Sequence, residues 1–376
     1  VSRLLLGIGA LAGVYQAVSL AASLRQLFRR EAPARALPPV SILKPIHGFD
    51  PDFAACIGSH ALLDYPDFEI LFGVADPADP AVPEVERLMA AHPAVPIRLI
   101  HSRTRAANGK AGVLADLAVE ARYPVLVVND SDIEVPRDYL RRIVAPLEDP
   151  RIGMVTCLYR ARARSWPGRL EALGIATDFA PSVLVAPLVG VSEFALGSTM
   201  AFRAADLRRA GGFESIGDFL ADDYQLSRRI RGLGLEIAIS RCVVETHLDA
   251  ASWGDAWRHQ VRWARTVRMS RSDGYVGLPV THAALWSALL LAAGHRRAAA
   301  ALMGLRMAAA AAGALALGEG RAARDLPLVP LRDLAGVAVW AAGLFGSEVT
   351  WRDVRLRLDR DGRIVEGVSL TREQAG

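Results

Sequence analysis

Between residues 38 and 250 the chain alternates short, continuously apolar runs with stretches of helical periodicity. VSIL (40–43), FEILFGVAD (68–76), IRLI (97–100) and VLVVND (125–130) have the first character; Pro83 to Ala91 and Asn108 to Ala121 have the second. A strand with no polar alternation has to be covered on both faces. When such strands alternate with helices, the economical solution is an α/β fold with a mostly parallel central sheet. Ligands of such sheets sit outside the carboxyl ends of the strands. Asp76 and Asp130 each close one of the apolar runs, so carboxylates from separate strands are expected at one edge.

At the second of these ends the sequence reads Asp130-Ser131-Asp132. Residues two apart in an extended segment point the same way, which would aim two carboxylates at one place. That is costly unless a cation sits there or the turn opens to solvent. Oxygen ligands suit Mg²⁺ or Mn²⁺, which binds one or two carboxylates together with substrate phosphates. The plainer alternative is a helix cap or a turn closed by an Asp. No GxGxxG follows the first strand and no GxxxxGK[ST] occurs, so both familiar glycine-loop phosphate cradles are absent. Phosphates bound here would need another counter-charge, and a divalent cation on Asp130 and Asp132 would provide it.

Three further stretches carry candidate chemistry. In FLADDYQLSRRIRGLG (219–234), Leu226, Ile230 and Leu233 recur at helical spacing, with Asp222 and Asp223 in the first turn. The acids either complement the helix dipole or place a general base in the cleft. FALGSTMAFRAADLRRAGGF (194–213) reads as strand, turn and short helix; Gly197, Ser198 and Thr199 allow close approach of a substrate, or only a tight turn. ASWGDAWRHQVRWARTVRM (251–269) sets Trp253, Trp257 and Trp263 among arginines at helical spacing. That mixture suits a membrane interface, and Arg262 could equally fork a diphosphate. The chain's two lysines, Lys44 and Lys110, lie beside these motifs among a basic set that is otherwise arginine.

Leu4 to Leu24 runs for 21 residues without a charge. At ~1.5 Å per residue this helix spans the ~30 Å of a bilayer core, and it exceeds the ~7–15 apolar residues of a cleavable signal. Arg25, Arg29, Arg30 and Arg35 follow and mark the cytoplasmic side. Weaker apolar segments lie at Pro279 to Ala293, Ala298 to Leu317 and Leu331 to Phe345, with Arg306 inside the second. Three crossings would leave the tail outside; a cytoplasmic tail requires one segment to be interfacial or re-entrant, and Arg306 singles out the second. The expected organisation is an anchor at 1–27, a catalytic domain at 38–250, an interfacial helix at 251–275, membrane segments at 276–346 and a tail at 347–376. The net charge of +4 beside apolar segments points to anionic headgroups rather than nucleic acid. Three widely spaced cysteines fit a reducing compartment.

Asp76, Asp130-Ser131-Asp132, Asp222-Asp223 and HQVRW together resemble the D, DxD, [ED]D, [QR]xxRW series of lipid-directed and processive glycosyltransferases. PVSILKPIHGFDP, FGVADPADPA, NGKAGVL, LADDYQLSRRI and HQVRWARTVR are similar to the ceramide glucosyltransferase family, including its bacterial branch associated with hopanoid biosynthesis. The resemblance covers about residues 38 to 275. It implies a GT-A fold, a UDP-sugar donor, a divalent cation and a lipid acceptor at a multi-pass membrane protein. By the same resemblance Asp76 touches the nucleoside. Asp130 and Asp132 hold the metal and diphosphate. Asp223 is the base. Gln260, Arg262 and Trp263 close on the diphosphate and acceptor. His259 departs from the Gln or Arg of the motif. Apart from the resemblance, Lys44, Lys110, Asp222, Gly197 and Ser198, which lie in or beside these motifs, are expected to line the substrate site. The rival readings are a processive polysaccharide synthase, for which three weak C-terminal segments are few, and an inactive lipid-binding scaffold.

Overall fold

The four apolar runs form the strands they suggest. In the computed structural model, which describes residues 2–48, 52–248, 252–320, 322–351 and 354–369, they are β1 (Val40–Pro45), β2 (Phe68–Val74), β3 (Ile97–His101) and β4 (Val125–Val128). β1, β2 and β4 are buried at every position. The sheet is completed by β5 (Ile133–Glu134), β6 (Ile152–Ala163), β7 (Met200–Arg203) and β8 (Glu236–Leu248), in the order β3-β2-β1-β4-β7-β6-β8-β5. β1 pairs in parallel with β2 and β4, and β2 with β3; beyond β4 the pairs β4–β7, β6–β7 and β5–β8 are antiparallel.

The helix Gly109–Glu120 begins at Asn108, whose side chain accepts from the Ala111 N–H. It packs on the sheet at Gly73, where a Cβ would stand 2.4 Å from a Val113 methyl and 2.9 Å from Leu117. Only a residue without a side chain lets the helix come this close. Leu226 and Ile230 of the helix Asp222–Gly232 join Leu114, Leu126, Met200 and Phe202 in one buried cluster. The period read at these leucines is therefore the buried stripe of the helix.

The chain divides into two compact units. One comprises residues 30–159, 192–247 and 352–376 and contains the sheet; the other comprises 1–29, 160–191 and 248–351 and is helical. The division cuts the single domain expected at 38–250, because residues 160–191 cluster with the helical unit. Four helices among the described residues are long and apolar enough to cross a membrane: Ser2–Phe28, Trp166–Val189, Arg296–Ala316 and Leu326–Gly343. The second was not read from the sequence, where Arg169, Glu171, Asp178 and three prolines interrupt it. A π-helical turn at Ile175–Phe179 carries it into Pro181, as happens where proline removes a ladder donor. The expected segment at 279–293 contains a helix of only 10 residues, Ala283–Ala292.

Arg306, which made the helix Arg296–Ala316 suspect, is 2 % exposed and neutralised. Its Nη2 donates to Asp333 Oδ1 at 2.7 Å, its Nε to Asp333 Oδ2 at 3.0 Å, and its Nη1 to the Thr177 carbonyl at 2.8 Å. Asp333 also accepts the Ala284 N–H at 3.2 Å. A guanidinium so paired presents no bare charge to an apolar surrounding.

Candidate active site

β4 ends at Val128, two residues before Asp130. Asn129 leaves the strand and its Nδ2 donates to the Tyr139 hydroxyl at 2.8 Å and the Ser198 carbonyl at 2.7 Å. Ser131 and Asp132 then form a turn. This corrects the extended geometry expected of the motif, and the two carboxylates find different partners. Asp130 Oδ1 lies 2.6 Å from Lys110 Nζ. Asp132 Oδ2 accepts from the Thr246 hydroxyl on β8 at 2.6 Å.

Lys110 stands in the first turn of Gly109–Glu120 and also reaches Asp222 Oδ2 at 3.0 Å. Burial alone would depress its ammonium; Asp130 and Asp222 overcome this and hold it well above its ordinary value. Asp223, one residue on, accepts the Gly197 N–H at 3.0 Å through Oδ2 and the Tyr224 N–H at 2.7 Å through Oδ1. A Cβ on Gly197 would stand 3.0 Å from Asp130 Oδ2 and 3.6 Å from both Asp223 Oδ2 and Lys110 Nζ. Gly197 is thus the floor across which Asp130, Lys110 and Asp223 meet. The order in this region is turn, strand and helix, with β7 after Gly197 rather than before it.

Two carboxylates therefore pair with one ammonium, and the charge of a third, Asp223, acts on it as well. Desolvation, and after it the neighbouring Asp222 charge, push Asp223 up to about 7. The helix N-terminus does not keep it a low-pKa carboxylate, as its sequence position suggested. Excess negative charge and oxygen-only donors at Asp130 and Asp132 fit a hard divalent cation. A second, mixed donor set lies nearby in sequence: Glu134, Glu245 and His247 offer ligand atoms within 4.8 Å of one another. His247 Nε2 is 2.9 Å from Glu134 and its Nδ1 is 3.2 Å from Asp52. The spacing of Glu245 and His247 on a strand was a legible signal for this cluster.

Two of the expected substrate residues act from beneath. Lys44 is wholly buried in β1; its Nζ donates to the Asp130 carbonyl at 3.0 Å and lies 3.4 Å from His60 Nε2. Burial lowers it to about 8 despite the acids above it. Ser198 is also buried, and its hydroxyl donates to the Cys157 carbonyl at 3.2 Å. Both are corrected from substrate contacts to supports of the turn. Asp76 is exposed two residues past β2, accepting the Ala78 N–H at 2.9 Å.

His259, Gln260, Arg262 and Trp263 belong to the helical unit, on the helix Trp253–Ser270, which Ser252 and Asp255 close with a reciprocal capping box. Trp253 and Trp257 are exposed. Trp263 instead packs on His259 (ring centroids 4.8 Å) and Phe179 (6.0 Å). His259 Nδ1 lies 2.5 Å from the buried Glu171, a partner that the motif did not announce.

Comparison with known proteins bears on the fold and the family. A solved mannosyltransferase from Pyrobaculum calidifontis, in complex with GDP-mannose and Mn²⁺, superimposes with a TM-score of 0.54 over 90 % of this chain and 96 % of that one, at 19 % identity. The likeness supports a GT-A fold for the sheet. Ceramide glucosyltransferase 1 of Caenorhabditis elegans is 28 % identical over 58 % of this chain and 47 % of its own length. The ceramide glucosyltransferase of Candida albicans is 33 % identical over 29 % of this chain and 22 % of its own. The chain thus spans less than half the length of these relatives. The profile of glycosyl transferase family 21 matches residues 4–364, and the chain belongs to that family, alongside the ceramide glucosyltransferases.

Proposed function

We propose that the protein is a membrane-bound inverting glycosyltransferase that moves a hexose from a UDP-sugar to the hydroxyl of a lipid acceptor, a ceramide or a hopanoid-type polyol, giving a β-glycolipid. The observation that carries this reading is the pairing of Asp130 and Asp222 with Lys110 beyond the carboxyl end of β4, with Asp223 beside them on the Gly197 N–H. A lipid hydroxyl is a poor nucleophile. Asp223 accepts its proton as the oxygen attacks the anomeric carbon, and a carboxylate with a pKa near 7 is matched to that task. Gly197 donates its N–H to Asp223 Oδ2 and so holds that carboxylate in orientation. Asp130 and Asp132 would hold a divalent cation, which would neutralise charge on the diphosphate leaving group. Lys110 ties Asp130 to Asp222, so the cation loop and the base helix keep one register. A single displacement with the base opposite the leaving group inverts the anomeric centre, by the geometric logic of inverting glycosidases. On the strength of the motif, Gln260, Arg262 and Trp263 are assigned to the diphosphate and the acceptor.

The same reading includes a membrane topology. Residues 152–163 and 200–203 pair in one sheet, so the helix Trp166–Val189 between them enters and leaves on one side. Residues 362–364 hydrogen-bond to residues 218–220, so the hairpin at 354–369 is read on the side of the sheet. The number of crossings between residues 248 and 352 is then even. The arginines at 25, 29, 30 and 35 put this side in the cytoplasm.

The test is incubation of membranes carrying wild type or Asp223→Asn with radiolabelled UDP-sugars and lipid chromatography. A single labelled glycolipid, lost in the variant, supports the reading. A polymer, or no transfer with any donor, overturns it.

A further inference from the structure

Asp222 and Asp223 occupy the first turn of their helix, yet Ala221 at its N-cap brings no side-chain cap. The first turn instead bonds locally, the Asp222 N–H to the Leu220 carbonyl at 3.1 Å and the Tyr224 N–H to Asp223 Oδ1 at 2.7 Å, so the placement of the two acids depends on the loop that precedes them. The loop before it, residues 217–221, is instead gripped from two sides. Asn108, at the start of the helix that carries Lys110, donates its N–H to the Gly217 carbonyl at 2.7 Å and its Nδ2 to the Phe219 carbonyl at 2.7 Å. From the other side comes the antiparallel hairpin of Val354–Leu358 and Ile364–Ser369.

The hairpin treats this loop as a strand edge. The Leu220 N–H donates to the Gly362 carbonyl at 3.2 Å and the Ile364 N–H to the Asp218 carbonyl at 2.7 Å, so Phe219 and Arg363 face each other in an antiparallel bridge. The Arg363 guanidinium lies 4.8 Å from the centroid of the Phe219 ring, and Arg229, from the acid-bearing helix itself, lies 5.6 Å from the same ring. Backbone hydrogen bonds give such an augmented edge its affinity, and the ring between two cations fixes its register.

We propose that the tip of this C-terminal hairpin, with Arg363 at its centre, is a positioning element for the acid pair. It supplies through the loop the restraint that the missing N-cap does not, so that Asp223 stays against the Gly197 N–H and Asp222 against Lys110. Arg363 touches no reacting atom and acts through Phe219. This inference rests on the assignment of the base to Asp223, and the two can fail separately.

The experiment compares Arg363→Ala, Arg363→Lys, Ile364→Pro and Asp223→Asn in the full-length protein. It measures kcat, donor KM and hydrogen exchange at the Leu220 amide. Ile364→Pro deletes the N–H given to Asp218 without deleting a side chain of the site. Misplacing a reacting group by ~1 Å can cost ~10²-fold in rate. The expected result is a kcat loss of up to that size in Ile364→Pro, a smaller loss in Arg363→Ala and partial rescue in Arg363→Lys. Donor KM should be unchanged and Leu220 exchange faster in step with the kcat loss. Faster Leu220 exchange with unchanged kcat overturns the positioning role, as does a loss confined to KM. Turnover retained in Asp223→Asn removes the base assignment instead and leaves the hairpin's effect on kcat to be read on its own.

Discussion

Lys110 Nζ stands 2.6 Å from Asp130 Oδ1 while its helix begins at Asn108, the residue that also holds the loop before Asp222. One lysine thus joins the turn after β4 to the helix of the proposed base. Lys110→Met is expected to leave Asp130 and Asp222 facing each other without a counter-charge. Turnover should fall by at least the ~10²-fold typical of a lost electrostatic contact, with Lys110→Arg intermediate. Turnover near wild type in Lys110→Met would make the lysine a passive fastener.

Asp223→Asn should lower transfer by ~10²–10⁴-fold, the usual worth of general-base catalysis, while UDP-sugar affinity persists. Asp222→Asn should be milder. The reverse order, measured as rate beside donor affinity, would name Asp222 as the base.

The raised pKa of Asp223 also predicts a pH dependence. Its folded value, about 7, exceeds the ordinary 3.8. The protonated form therefore favours the folded state; that contribution is complete below about pH 4 and is lost as pH rises through about 7. Activity should move the opposite way, rising through the same window as the base ionises. In metal-free protein Asp223→Asn should raise the melting temperature at pH 8 and leave it unchanged at pH 4. Equal effects at both pH values would show that the carboxyl is not perturbed.

Chelation with EDTA should abolish transfer, and Mn²⁺ or Mg²⁺ should restore it. Titration calorimetry with Mn²⁺ on Asp130→Asn, Asp132→Asn and His247→Ala tells the two donor sets apart. Loss of binding in the aspartate variants alone puts the cation on the turn after β4, with Asp130→Asn the more damaging to activity. Full activity after chelation would remove the metal.

In the helical unit, Arg306→Met leaves Asp333 buried without its partner and should destabilise the protein by ~3–5 kcal/mol, whereas Arg306→Met with Asp333→Leu should recover most of that loss. Thermal unfolding in detergent reads both. For topology, Arg103→Cys and Arg360→Cys should label from the same side of the membrane. The three native cysteines are buried and give little background. Labelling of Arg360→Cys alone from outside intact cells would reverse the even-crossing assignment.

The strands and the acids were legible in the sequence because their signals are local. Continuous apolarity over 125–128 demands burial on both faces, and the period of Leu226 and Ile230 demands a helix whose first turn holds Asp222 and Asp223. The order of Asp76, the acids and HQVRW carried the family for the same reason: each motif is a short run whose spacing survives in one dimension. Tertiary structure decided which of these side chains meet. Lys44 and Lys110 look alike in the sequence, but β1 lies inside the sheet and buries the first beneath Asp130, while a helix start presents the second to two carboxylates. Asp223 stands at a helix N-terminus, which favours the anion, yet burial in the folded site, together with the like charge of Asp222, outweighs the dipole. Arg306 signalled a broken membrane helix until Asp333, on a different helix, came within 2.7 Å. Charge pairing and dehydration depend on distances between residues far apart in the chain, and only folding brings those distances about.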